Sequence, residues 1–145
     1  MVDRTTMGER TTLQTIAMLV GAVFLIVGIA GFIPGITTDA PGEFIGDESE
    51  AELLGIFQVS IVHNIVHLLF GIAGLAMART WDGARTYLIG GGVVYLALWV
   101  LGLVGGAEWI PANTADNWLH FGLGAGMVAA GYLLSRERAP RATTA

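Results

Sequence analysis

Two of the chain's three histidines, His63 and His67, stand four residues apart in VHNIVHLLFG (62–71), and the third, His120, follows Asp116 at the same spacing in DNWLHFGLG (116–124). Residues four apart share one face of a helix, so each pair can hydrogen-bond or act together on a ligand. Neutral imidazoles from His63, His67 and His120, joined by the Asp116 carboxylate, are a ligand set for a divalent transition metal. The same residue types also serve a plainer purpose. Asn64 with His67, and Asn117 with His120, can tie helices two and four together by buried hydrogen bonds, each worth about 1 kcal/mol in a membrane.

A third use is redox or proton handling, with haem held between histidines or a relay through His63 and His67. Haem propionates near these residues would meet carboxylates and no arginine. A relay would need polar groups in the inner half of helices two and four, where the chain has Leu, Gly, Ala and Met. The chain has no cysteine, which excludes disulfides, thiolate metal sites and thiol nucleophiles. It shows no activated serine, no paired carboxylates placed for acid–base work and no glycine-rich phosphate loop after a strand. The expectation is a protein without catalytic activity and without a cofactor, the divalent metal being the alternative.

These residues lie in a chain of 145 residues, 54% apolar and 13% charged, with a mean hydropathy of +0.66. That balance belongs to the lipid bilayer rather than to a soluble globule. The apolar residues fall into four blocks, 13–33, 53–78, 84–104 and 115–134, each near the roughly 20 residues that cross a bilayer core as helix. The fold class expected is an all-α integral membrane four-helix bundle. Residues 13–134 form the domain, with an acidic outer loop at 34–52 and tails at 1–12 and 135–145. The first block is too long for the core of a signal peptide, and no A-x-A site follows it.

Orientation follows from arginine, since lysine is absent. Arg4 and Arg10, Arg79 and Arg85, and Arg136, Arg138 and Arg141 flank alternate ends of the blocks. The positive-inside rule then places both termini and the turn at 79–85 in the cytoplasm of a plasma-membrane protein. The outer loops are acidic, with Asp39, Glu43, Asp47, Glu48, Glu50 and Glu52 in the first and Glu108 and Asp116 around the second. Such a face repels nucleic acid and gathers cations.

Helix starts are read at TTLQ (11–14) and SEAE (49–52), both capping-box patterns, and at Asp82 and Thr114 as N-caps for helices three and four. The short RTWDGAR linker makes helices two and three antiparallel neighbours. Glycines at packing spacing, Gly102 with Gly106 and Gly122 with Gly126 and Ala130, suit close helix contact inside a small bundle, or else a homo-oligomer seam.

The chain also resembles itself. FIPGITTD (32–39) is similar to WIPANTAD (109–116), and HNIVHLLFG (63–71) to DNWLHFGLG, which pairs Asn64 with Asn117, His67 with His120 and Gly71 with Gly124. Two related antiparallel hairpins, repeated in parallel about an axis along the membrane normal, are the expected architecture. Counting depth from the arginines at about 1.5 Å per residue instead matches His63 to His120, so sequence leaves both pairings open.

HNIVHLLFGIAGL in helix two, YLIGGGVVYL in helix three and NTADNWLHFGLG at helix four resemble the small four-helix membrane proteins of actinobacteria grouped as a domain of unknown function. HNxVHL and ADNxLHxxxG are the most specific parts of the likeness. The resemblance implies an integral membrane protein of the cell envelope with no assigned activity. Its characteristic polar positions would be His63, Asn64, His67, Asn113, Asp116, Asn117 and His120, and Ser60 departs from an asparagine expected there. The function expected is structural or accessory to an envelope complex, in contact with lipid and with a homo-oligomer or larger assembly as partner; cation binding or transport is the alternative.

Overall fold

The computed structural model describes residues 10–39, 44–45, 49–105 and 113–136. Four helices dominate it: α1 (Thr12–Ala30), α2 (Ile61–Met77), α3 (Trp81–Leu103) and α4 (Thr114–Leu133), the last running into a 3-10 turn at Leu134–Arg136. Between α1 and α2 lies a small antiparallel sheet of β1 (Thr37–Thr38), β2 (Glu52–Leu53) and β3 (Phe57–Gln58), in the order β1-β2-β3. The fold is all-α with a β cap. Among the described residues α1, α3 and α4, with its 3-10 extension, are long and apolar enough to cross a membrane, while α2 has 17 residues.

The helices pack as two hairpins, α1 with α2 and α3 with α4, while α2 and α3, joined by the short turn, touch much less. Along the hairpin seams they bury small and polar residues, beside an apolar core that includes Leu13, Phe24, Leu88 and Met127. Gly21 and Gly28 of α1 face Gly71, Gly74 and Asn64 of α2, and Gly92 of α3 faces Gly124 of α4. Many large aliphatic residues point outward, Ile26 being 65% exposed and Leu69 61%, whereas Asn64 is fully buried. A soluble bundle sorts its residues the other way. Close backbone approach between glycines is the packing available where lipid already solvates the leucines.

The cap is where sequence expectation and structure part. The second helix starts at Ile61 rather than near residue 53, and the SEAE pattern caps no helix. Ser49 Oγ donates to the Val59 carbonyl at 2.6 Å, and Glu52 pairs with Gln58 across β2 and β3. Leu54 and Gly55 adopt positive φ, 58° and 67°, a turn geometry that interrupts any helix through this segment. Ser60 is the true N-cap, its hydroxyl accepting from the His63 N–H at 3.2 Å.

Two other caps shift by a residue or two. Thr80, not Asp82, caps α3 by accepting from the Gly83 N–H, which leaves Asp82 in the first turn, where its charge suits the helix dipole. Asn113, not Thr114, caps α4. The TTLQ capping box forms as expected from Thr11 and Gln14. Of the similar outer-loop segments, 106–112 lie outside the described residues, as do both tails, 1–9 and 137–145.

Gln14 marks how the hairpin ends meet. Its Nε2 donates to the Ala78 and Arg79 carbonyls, at 3.2 and 3.1 Å, so the start of α1 sits beside the end of α2. Contact between α1 and the 3-10 turn brings Arg136 to the same end. Arg10, Arg79, Arg85 and Arg136 therefore gather at one end of the bundle and the β cap closes the other.

Candidate functional site

The chemistry-bearing residues converge under the cap. Ser60 starts α2 so that His63, Asn64 and His67 face inward over its first two turns, and the Asn113 cap does the same for Asp116 and His120 on α4. His63, His67, His120 and Asp116 all line one cavity of about 140 Å³. Tyr95 of α3 forms part of its wall, and Leu53, Leu54, Phe57 and Val59 of the cap form its roof.

Within it, His63 and His67 engage each other, Nε2 to Nε2 at 3.1 Å with the rings edge to face. One ring must donate and the other accept. Neither Nδ1 has a partner among the described residues.

Asp116 is 2% exposed and does a specific structural job. Its Oδ2 accepts from the Gln58 N–H at 2.9 Å and from the Asn113 N–H at 3.1 Å. Asn113 reciprocates, donating from Nδ2 to the Ile56 carbonyl at 2.7 Å. The start of α4 is thus clasped to the β2-β3 turn, and one carboxylate oxygen is committed to the clasp. Among the described residues no group of three or more His, Asp or Glu side chains is arranged to hold a metal ion.

The family described as "Domain of unknown function (DUF4383)" matches residues 14–133, which run from the first turn of α1 to the last residue of α4. The chain belongs to the DUF4383 family. No curated protein and no solved structure matches it significantly.

In this DUF4383 protein the two asparagines meet glycines, not each other. Asn64 packs on Gly31 and Asn117 on Gly102, so each contact lies within a hairpin rather than between α2 and α4. Neither Oδ1 has a hydrogen-bond partner among the described residues. The rings follow the same plan: His67 stands 5.4 Å from Phe24 and His120 5.3 Å from Tyr95, centroid to centroid. Each of these imidazoles thus meets an aromatic ring from the other helix of its own hairpin.

Gly31 and Phe24 are partners that residue-type reasoning misses, and Gly102, read as a packing glycine, is not matched there to Asn117. A signal for them exists in the sequence. Phe24 and Gly31 stand seven apart, as do Tyr95 and Gly102, so the similarity of helices two and four extends to one and three. Gly122 and Gly126, expected either to pack inside the bundle or to form a homo-oligomer seam, have open space at their Cα atoms, while Gly124 and Gly131 make the close contacts of α4.

Proposed function

We propose that this protein is a non-enzymatic four-span membrane protein, built from two repeated hairpins, with a structural or accessory role in a complex of the cell envelope. The observation that carries the reading is the sorting of side chains, with glycines, Asn64, Asp116 and His120 buried while many large aliphatic residues are exposed on all four helices. That arrangement is stable where lipid surrounds the bundle.

α2 counts as a span because it accompanies α1 over its depth, from the Gly31–Asn64 contact near the cap to the Gln14–Ala78 hydrogen bond at the arginine end. Its 17 residues extend about 25 Å, within reach of a bilayer core with its flanking residues. The repeat is supported by Gly31–Asn64 with Gly102–Asn117, and by Phe24–His67 with Tyr95–His120. With the arginines among the described residues gathered at one end, the positive-inside rule puts that end in the cytoplasm of a plasma-membrane protein. The open glycines at 122 and 126 offer a lipid-facing stripe where another transmembrane helix can approach.

The cysteine-free chain suits a direct test. Ile56→Cys in the cap and Asp82→Cys at the start of α3, both exposed positions, are labelled in intact cells with a membrane-impermeant maleimide. Labelling of Ile56→Cys alone supports the proposed topology, and labelling of both, or of Asp82→Cys alone, sinks it. Gentle solubilisation followed by native mass measurement tests the accessory role, which a lone monomer would refute.

A further inference from the structure

The cavity lies where the two halves meet, since His67 and His120 occupy matching positions in the hairpins and so do His63 and Asp116. We propose that it is a binding site for a phenolic ring: one six-membered aromatic ring carrying a hydroxyl group. The proposal goes beyond the structural role above and stands on the cavity's size, wall and unpaired polar groups.

Size comes first. A void of about 140 Å³ is close to the roughly 150 Å³ that admits a benzene ring in an engineered protein cavity. The wall is mostly apolar, with Val27, Leu119 and Leu123 from the helices and Leu53, Phe57 and Val59 from the cap. An apolar ring fits such a wall.

The polar groups supply the hydroxyl's partners. Asp116 spends Oδ2 on two backbone N–H groups, and Oδ1 makes no hydrogen bond among the described residues. The same holds for the Tyr95 hydroxyl and for both ring nitrogens of His120, which is 5% exposed. Buried polar groups rarely go without partners, so a clustered set of unmet donors and acceptors marks a place for a ligand. A phenolic hydroxyl donates to Asp116 or an imidazole and accepts from the Tyr95 hydroxyl, which meets both kinds of need.

A cation fits less well. The Asp116 charge is already met by two N–H donors and the start of α4, and the Nε2 atoms of His63 and His67 already face each other. A neutral hydroxyl needs neither of those interactions to break. Leu54, 65% exposed yet part of the cavity wall, places the β2-β3 turn between chamber and surface.

The test uses the full chain in detergent and 4-fluorophenol as probe, followed by fluorine NMR. A saturable shift is expected with the unaltered protein and not with empty micelles. Leu123→Trp, which fills the chamber, should abolish it, and Tyr95→Phe should weaken binding roughly three- to tenfold, the worth of one hydrogen bond. If Leu123→Trp does not fold by circular dichroism, Leu119→Trp fills the same space from a partly exposed position. A response that rises linearly with probe, or that survives filling the chamber, overturns the site. Fluorobenzene binding as tightly as 4-fluorophenol, or Tyr95→Phe binding unchanged, overturns the polar recognition.

Discussion

The side-chain amide of Asn64 fills the space that a Cβ on Gly31 would occupy, and Asn117 stands in the same relation to Gly102. Each glycine therefore exists to admit an asparagine. Adding a methyl group must push a buried amide or separate two helices, and overpacking of this kind costs about 1–3 kcal/mol. Gly31→Ala and Gly102→Ala should each lower stability by that amount in a detergent unfolding titration. Adding Asn64→Ala to Gly31→Ala should recover part of the loss, because residues in contact couple. Gly122→Ala and Gly126→Ala, with open space around them, should stay within about 0.5 kcal/mol of the parent.

Such pairs also show how far the sequence could be read. Four helices were legible because apolar blocks of spanning length leave little choice of structure in lipid. The polar residues under the cap were legible because they stand out in apolar helices. The β cap was not: its strands are two residues each, too short for periodicity, and SEAE reads as a helix start until Ser49 is seen bonded to Val59. Glycine faces were not legible either, since Gly122 and Gly124 differ only in which side of α4 meets α3. The cavity depends on the cap, so it stayed hidden with it.

Asp116 makes a separate prediction, because it joins the halves through Gln58 and Asn113. Hydrogen bonds to a charged acceptor are worth about 1.5–3 kcal/mol when buried. Asp116→Ala should cost that much, and Asp116→Asn, which keeps one acceptor oxygen, less. Hydrogen exchange separates the clasp from general loosening: the Gln58 amide should exchange faster in Asp116→Ala, while that of Val59, which donates to the Ala51 carbonyl, keeps its protection. Equal acceleration at both amides would mean that Asp116 supports the cap as a whole and not through this bond.

Asn113 holds the other side of the clasp, with its side chain both capping α4 and donating to Ile56. Removing an N-cap costs about 0.5–2 kcal/mol. Asn113→Ala should fall at the upper end of that range because it also loses the Ile56 contact. Asn113→Ser keeps the cap but cannot reach as far, so its stability should lie between the two in the same titration.

Leu54 offers a change in the opposite direction. Its φ of 58° lies in the left-handed region, where a Cβ crowds the following carbonyl at a cost of about 1–2 kcal/mol, and at 65% exposure it buries little in return. Leu54→Gly removes that crowding but adds freedom to the unfolded chain, worth about 0.5–1 kcal/mol against it. The balance favours a small gain in stability, on the order of 0.5 kcal/mol. Leu54→Val should do the reverse, since branching at Cβ tightens the clash. Thermal unfolding of the two variants side by side checks the order: glycine above leucine above valine supports a strained turn, and valine at or above leucine would show that the β2-β3 turn carries no strain at this position.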